Sequence, residues 1–484
     1  MKEKNINKVY NWINGQECPS QSNSYFEKIS PSTGSKIFDV VKSSFVDVNS
    51  AAEAAKNAFC NWANKTPVQR GNYLFSITEI LQKKRQDLAN IVSLETGKSI
   101  KDALSEVQAA IDQGRFMASE GFRMNQRVIP SAIDNKTVLV VREPIGVAAL
   151  LVSFNTPIAN ITWKVFPALI CGNTVILKSS EHTPATTNFF AKITEEAKLP
   201  QGVLNVVHGD GVTGELLIKN HFVELISFTG STNVGRKIQT TAATRNVRTF
   251  LELGGKNPMV ICDDADIELS LKWALLSSFS NAGQRCASSS RIIIFDSIYD
   301  KFKNEFISKV NKLKVGSEDE DDLGPVVSLK QLRFLEEVVL AATKEGGNLL
   351  TGGKRVGDKG NYFAPTVIEN ILSSSKLSKM ELFGPITFLY RASSFQNALD
   401  IANDSPYGLT SSIHTKNIHR ALEFSKKMKC GVVTINGGTH GSEAHMPFGG
   451  IKDSGNGQKE PGMEALEVYS ITKNICINHL PSSV

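Results

Sequence analysis

Apolar residues recur at helical spacing soon after the chain begins. Behind Asp47, Val48, Ala51, Ala52, Ala55, Phe59 and Trp62 follow at intervals of three and four, the apolar stripe of an amphipathic helix. Thr66-Pro67-Val68-Gln69 then combines a capping hydroxyl, a first-turn proline and an amide three residues on, the signature of a helix start. Leu74, Ile77, Leu81, Leu88 and Ile91 carry the stripe onward, and a third helical segment is predicted over about 97–122. Near Arg127 the period changes. Residues 127–142 contain Val138-Leu139-Val140-Val141 and read as extended chain, a protruding hairpin.

Short β-type runs then alternate with helices. Residues 147–154 precede a helix through Trp163 and Leu169, and 174–177 precede one opening at Thr183-Pro184. Residues 203–207 lead to 213–219, and 225–228 lead to 234–239. Repeated strand–helix units predict an α/β fold with a parallel sheet covered on both faces. Ligands of such sheets bind at the carboxyl ends of the strands. A second α/β set begins near Pro258, with a helix over 270–279, a strand over 291–295 and a helix over 301–312. It continues to 432–435, and the tail from Leu466 to Ile477 again reads extended.

A length of 484 residues accommodates two to four such units. The charge of +6 is the difference between 54 basic and 48 acidic residues spread along the chain, with no dense basic block, so nucleic acid is not an expected partner. The N-terminus lacks an apolar signal core, and the longest apolar run, over 146–154, is too short to span a bilayer. A cytoplasmic protein without a membrane partner is expected. The cysteine count is odd at 7, without CxxC or metal-ligand spacing, which argues against a disulfide framework and structural zinc. An unremarked cysteine is by default a small core residue, so something specific has to single one out.

Two glycine-rich strand–helix turns are candidate phosphate sites. Gly209-Asp210-Gly211-Val212-Thr213-Gly214 fits GxGxxG, a pattern that is weak evidence alone. Phe228-Thr229-Gly230-Ser231-Thr232-Asn233-Val234-Gly235 is its rival, again with helix-start amides available to a phosphate. Three further segments carry an amide, a carboxylate and a thiol beside glycine or a strand end: Ser153-Phe154-Asn155-Thr156-Pro157, Phe250-Leu251-Glu252-Leu253-Gly254-Gly255-Lys256, and Asn281-Ala282-Gly283-Gln284-Arg285-Cys286. Singly these read as a turn, a solvated acid and an inert thiol.

Together they resemble the aldehyde dehydrogenase superfamily. Glu252 to Lys256 matches its ELGGK-type segment and Gly283 to Cys286 its GQxC-type segment, with the family's separation between Glu252 and Cys286. Lys178-Ser179-Ser180-Glu181, Gly230 to Gly235, Glu381-Leu382-Phe383-Gly384-Pro385 and Pro447-Phe448-Gly449-Gly450-Ile451-Lys452 are further family-like segments, in order, and the resemblance runs from about Trp12 to Thr472. It implies a Rossmann-type cofactor domain (1–126 and 146–253), a second α/β catalytic domain (254–450) and a β-strand oligomerisation arm (127–145 and 465–484) of a homodimer or homotetramer.

The resemblance also assigns roles. Cys286 is the nucleophile, its thiol pKa lowered or a base acting on it, with Asn155 and the Cys286 N–H as oxyanion donors and Glu252 as general base. Lys178, Ser180 and Glu181 hold the adenosine ribose, Gly211 approaches the adenine, and Phe228, Gly230, Ser231 and Gly235 form the pyrophosphate turn. Glu381 and Phe383 hold the nicotinamide ribose. The cofactor is NAD, with NADP the open alternative. No metal is implied.

Departures from the family pattern bear on the substrate. Thr156 stands where many relatives carry an aromatic residue, Asn160 and Trp163 follow at helical spacing, and His440 and His445 fall in a segment at the pocket mouth. With Arg123 and Arg285, Thr156 and Trp163 point to a small polar or anionic aldehyde of semialdehyde type, because an arginine fork pairs well with a carboxylate. The other reading of the two arginines is structural ion pairing. A coenzyme-A-acylating dehydrogenase and a lapsed binding protein of the same fold are the alternative functions. Glu252 favours water as the acyl acceptor, and the intact Asn155, Glu252 and Cys286 speak against lapse.

Overall fold

The computed structural model describes residues 8–124 and 126–479. Residues 1–7, 125 and 480–484, which include the ends of the expected cofactor domain and arm, lie outside the described residues.

The first helix, Phe45–Ala63, starts earlier than its apolar stripe. Ser44 is its cap, and Asp47 sits inside the first turn, its carboxylate accepting the Ser44 N–H at 2.7 Å. Pro67–Lys83 opens with the capping box predicted at Thr66 and Gln69. The stripe that continued to Ile91 divides into this helix and Arg85–Thr96, followed by Ile100–Glu120.

These helices pack on a seven-stranded sheet with the order Arg248–Glu252, Val223–Thr229, Val147–Leu151, Thr174–Lys178, Leu204–Val207, Asn11–Ile13, Gln16–Cys18. The first five strands are parallel and the N-terminal pair antiparallel. Alternation along each strand splits the core. Ala148, Leu150, Val175 and Leu177 face the helices of 67–120, 157–170 and 184–196, while Val147, Ala149, Leu151 and Ile176 face those of 45–63, 211–219 and 232–243. Strand order reverses between Val147–Leu151 and Val223–Thr229, so the crevice expected to take a ligand lies beyond Leu151 and Thr229. Asn155 and Ser231 follow those two ends directly.

A second seven-stranded sheet runs Asn348–Thr351, Thr366–Glu369, Ile386–Ala392, Ser289–Phe295, Asn257–Ile261, Thr410–His414, Val432–Ile435, parallel except for its first strand. A separate antiparallel sheet joins Ser470–Asn478, Lys136–Pro144 and Arg127–Ile129. The tail is therefore extended from Ser470, whereas Ala465–Val468 is a helical turn, although the sequence reads as extended from Leu466.

One buried ion pair ties the helical layer to the crevice. Lys98 and Glu106 meet at 2.7 Å with both side chains buried. The Lys98 ammonium also donates to the Asn155 carbonyl at 2.9 Å, and Glu106 accepts the Ile158 N–H at 2.9 Å at the start of the helix Pro157–Ile170. Replacing Glu106 with Leu strands the lysine charge in the interior, a class of change that costs about 3–5 kcal/mol. Glu106→Leu is therefore expected to lower the urea midpoint of unfolding well below that of the parent protein, and an unchanged midpoint refutes this account of the pair.

Candidate active site

Four side chains assigned from sequence emerge from the carboxyl ends of adjacent parallel strands: Asn155 beyond Leu151, Lys178 at the end of Thr174–Lys178, Phe228 in Val223–Thr229, and Glu252 at the end of Arg248–Glu252. Cys286 comes from the other half of the molecule. Its loop departs from regular structure, with Asn281, Ala282 and Gly283 in succession at φ of +53°, +53° and +68°. Glycine and asparagine tolerate this left-handed conformation, whereas a buried alanine does so at a strain cost. A Cβ at Gly283 would also lie 2.2 Å from the Gly384 carbonyl oxygen. The reversed turn is anchored by Gln284, whose amide accepts from Val327 N–H at 2.8 Å and donates to the Pro325 carbonyl at 3.2 Å. Asn257 Nδ2 donates to the Cys286 carbonyl at 2.7 Å.

The two loops are joined at one atom. The Asn155 carbonyl oxygen accepts from Lys98 Nζ at 2.9 Å and from Asn281 Nδ2 at 3.1 Å. The Asn155 side-chain oxygen accepts from Asn160 Nδ2 at 3.1 Å. The Asn155 side-chain NH₂ makes no hydrogen bond among the described residues, which leaves it free as a donor. Lys98, Glu106 and Asn281 were not assigned roles from sequence. Asn281 carried a local signal, since asparagine favours left-handed backbone, but its partner lies far away in the chain.

The electrostatics bear on the two alternatives expected for the thiol. Cys286 is half-buried, and its thiol is pushed up to about 12 by burial, then by the carboxylates of Glu381 and Glu252; the Ala287 N–H and Arg285 oppose this only weakly. The resting thiol is thus protonated rather than activated by a lowered pKa. Glu252 is buried with neither carboxylate oxygen hydrogen-bonded. Burial, then Glu460, raise its pKa well above the carboxylate range, against Lys164 and Lys459. Behind it Lys164 pairs with Glu460 at 3.1 Å and donates to Ser227 at 2.8 Å, and Tyr469 donates to Glu460 at 2.5 Å. No local pattern in the chain signals this buried set.

The two glycine-rich turns now separate. The helix Gly211–Lys219 is already capped by the Asp210 carboxylate, which accepts from Val212 N–H at 2.9 Å and pairs with Lys42 at 2.8 Å. That negative charge repels a phosphate, and a Cβ at Gly211 would meet open space. The helix Thr232–Ala243 has no side-chain cap bond from Ser231 and no acid in its first turn, so its start has the free amides an anion needs. A Cβ at Gly230 would lie 2.3 Å from the Phe228 ring, and one at Gly235 2.5 Å from Leu253. Lys178 is buried, 3.9 Å from Glu181, and Ser180 Oγ accepts the His182 N–H at 3.2 Å. Glu381 takes the Gly255 N–H at 3.0 Å and is pushed up to about 7 by burial. Phe383, at φ +52°, meets Phe154 edge-on with ring centroids 5.7 Å apart.

On the substrate side, Trp163 packs with Cys286 against Ala287, Leu409 and Phe448, its ring 5.7 Å from that of Phe448. The Thr156 hydroxyl accepts from Asn160 at 3.3 Å. Arg285 forms no salt bridge among the described residues, and its Nε is buried without a partner. Next to it His440, its Nδ1 also unpartnered, is pushed down to about 4 by burial and then by the Arg285 charge. Arg123 is elsewhere engaged, exposed and bonded to the buried Glu120 and, at 3.0 Å, to Ser119. No group of three or more metal-binding side chains occurs among the described residues.

The Aldehyde dehydrogenase family model matches residues 18–475. The chain is 34% identical over 479 residues to the alpha-ketoglutaric semialdehyde dehydrogenase of Bacillus subtilis (strain 168), covering 97% of this chain and 98% of that protein. It is 34% identical to the mitochondrial succinate-semialdehyde dehydrogenase of Oryza sativa subsp. japonica, covering 97% and 89%. A crystal structure of betaine aldehyde dehydrogenase from Staphylococcus aureus in complex with NAD+ superposes with a TM-score of 0.95 at 34% identity, covering 98% of this chain and 96% of that one. The chain belongs to the aldehyde dehydrogenase family. It has the aldehyde-dehydrogenase fold and is an oxidoreductase acting on the aldehyde group.

The raised thiol has a measurable consequence. In the cofactor-free protein, alkylation of Cys286 by iodoacetamide, followed residue by residue by mass spectrometry, is expected to be slow at pH 7. It should rise about tenfold per pH unit from pH 7 to 9 as the thiolate fraction grows. A plateau at neutral pH overturns this picture of the resting site.

Proposed function

We propose that this enzyme oxidises a small aldehyde bearing an anionic tail, a semialdehyde, to the acid with NAD, through a thioester on Cys286. The Cys286 sulfur attacks the carbonyl carbon, and its proton passes to a base, a role for which the ELGGK-type match supports Glu252. The new oxyanion receives the free Asn155 amide N–H and the Cys286 backbone N–H. NAD, bound in the crevice, would accept the hydride released as the oxyanion collapses to the thioester. Once Glu252 has passed the thiol proton to solvent, it takes a proton from water as that water attacks the thioester, and the acid leaves as the Cys286 sulfur regains a proton. Burial raises the basicity of the Glu252 carboxylate, which strengthens it as a general base once ionised. The observation that carries this reading is the Asn155 carbonyl, which binds the nucleophile's loop and the donor's loop to one atom.

The crevice residues fit that cofactor. The uncapped helix start at Ser231, with Phe228, Gly230 and Gly235 allowing close approach, would hold the pyrophosphate. Lys178, Ser180 and Glu181 would hold the adenosine ribose, with Gly211 towards the adenine, and Glu381 and Phe383 the nicotinamide ribose. The Glu181 carboxylate repels a 2′-phosphate, which supports NAD over NADP. NAD is expected to exceed NADP in kcat/KM, and Glu181→Ala to narrow the gap.

The parts divide accordingly, in our reading, into a cofactor domain (1–126 and 146–253), a catalytic domain (254–450) and an arm (127–145 and 465–484). The arm's exposed Val128, Ile471, Ile475 and Ile477, and the outer edges of its two outer strands, unpaired among the described residues, suit burial against a second subunit in a homodimer or homotetramer. No described helix is long and apolar enough to cross a membrane, and we place the enzyme in the cytoplasm.

The substrate assignment rests on Arg285, a guanidinium without a carboxylate partner next to the nucleophile in sequence. A quaternary ammonium, the tail of betaine aldehyde, finds aromatic faces in Trp163 and Phe448, but the Arg285 cation repels it. Arg123, committed to Glu120, is a weaker anchor. With NAD, succinic semialdehyde is expected to exceed butanal in kcat/KM by tenfold or more, and betaine aldehyde to be poor. Arg285→Leu should remove about 1.5–3 kcal/mol of charge-assisted hydrogen bonding, roughly 10–150-fold, from succinic semialdehyde alone. Cys286→Ala should abolish both reactions. Butanal winning would sink the semialdehyde assignment, and oxidation by Cys286→Ala the mechanism.

A further inference from the structure

We infer that Asn160 is a positioning residue that sets which way the Asn155 amide points, and that the polar wall it forms with Thr156 serves the oxyanion donor. This rests on the reading of Asn155 as that donor.

A side-chain amide has two faces of similar shape and opposite polarity. Only the NH₂ face stabilises an oxyanion, and the oxygen face repels it. Asn155 therefore needs a neighbour that discriminates between them. Asn160 Nδ2 lies 3.1 Å from Asn155 Oδ1, 3.3 Å from Thr156 Oγ1 and 3.5 Å from the Ser153 carbonyl oxygen. The Ser153 carbonyl can only accept, so Asn160 turns its NH₂ towards this group of oxygens. Given that, a flipped Asn155 would set NH₂ against NH₂. The unflipped form puts its oxygen on Asn160 and leaves its NH₂ outward.

The lock itself is rigidly held. Asn160 is buried in the first turn of Pro157–Ile170, its N–H bonded to the Thr156 carbonyl at 2.9 Å. Glu106 fixes the start of that helix through Ile158 N–H at 2.9 Å, and the Asn155 carbonyl is held from two sides. The Asn155 carbonyl and side-chain oxygen are thus both engaged, and the side-chain NH₂ is the polar group left over.

The test needs a readout independent of the cofactor. Hydrolysis of p-nitrophenyl acetate provides one: Cys286 forms the S–C bond, p-nitrophenolate leaves, and water releases acetate, with no electrons transferred. Oxidation of succinic semialdehyde with NAD is measured in parallel. Asn160→Asp, which at neutral pH can only accept, should draw the Asn155 NH₂ to itself and aim its oxygen at the oxyanion. Both rates should then fall about 10²-fold in kcat, the lower end for loss of one oxyanion donor, with KM little changed. The ratio of variant to parent rate should recover as pH falls and the new carboxyl regains a proton to donate. Asn160→Leu removes the lock without reversing it and should cost about tenfold; Asn160→Ala reads the same loss if the Leu variant lacks the parent's circular dichroism and melting temperature. In an Asn155→Ala background, every Asn160 variant should cost little more.

A rise in KM for the semialdehyde with unchanged ester hydrolysis would make Asn160 a substrate contact and overturn the inference. So would full additivity with Asn155→Ala. If Asn155→Ala alone keeps parental ester hydrolysis, it is the oxyanion role of Asn155 that fails.

Discussion

The carbonyl oxygen of Asn155 is the atom on which the site depends. The proposed nucleophile belongs to a loop of the second sheet and the proposed oxyanion donor to a loop of the first, and no covalent path shorter than 131 residues joins Asn155 to Cys286. The ammonium of Lys98 holds that oxygen from the helical layer and the amide of Asn281 from the nucleophile's loop. Lys98 is held in turn by Glu106, which fixes the helix behind Asn155. Catalysis by a preformed donor requires placement to a fraction of an ångström. Three charged or polar side chains meeting at one strand end supply it. The left-handed turn at Asn281, Ala282 and Gly283 is strained backbone that lets Asn281 reach across.

The second organising feature is charge held away from water. Cys286, Glu252 and Glu381 are all displaced towards their neutral forms, each chiefly by burial. The carboxylates of Glu381 and Glu252 also raise the Cys286 thiol. Lys164 and Glu460, paired at 3.1 Å behind Glu252, shift its ionisation in opposite directions.

How much of this was legible in sequence follows the range of each interaction. Local signals were read well: the capping box at Thr66, the strand–helix alternation and the parallel sheet all depend on neighbours a few residues apart. Local reading also misplaced things, as at Asp47, where the apolar stripe hid a cap three residues earlier, and at Ala465–Val468. The site's residue types were legible only because several short segments matched one family pattern. Their support was not. Lys98, Glu106, Lys164 and Glu460 act across separations that no spacing rule reaches, and the burial that raises the Cys286 thiol is a property of the assembled fold.

The polar residues around Cys286 then divide by what already occupies them. Asn160 and Thr156, read from sequence as a polar wall for substrate, are engaged with Asn155 and with each other. Arg123 is engaged with Glu120. Arg285 and His440 keep unpartnered nitrogens, and the Arg285 charge helps hold His440 neutral. A buried donor without an acceptor is costly. An anionic group arriving beside Cys286 would relieve that cost at Arg285, so the substrate preference we propose rests on Arg285 rather than on the wall formed by Asn160 and Thr156.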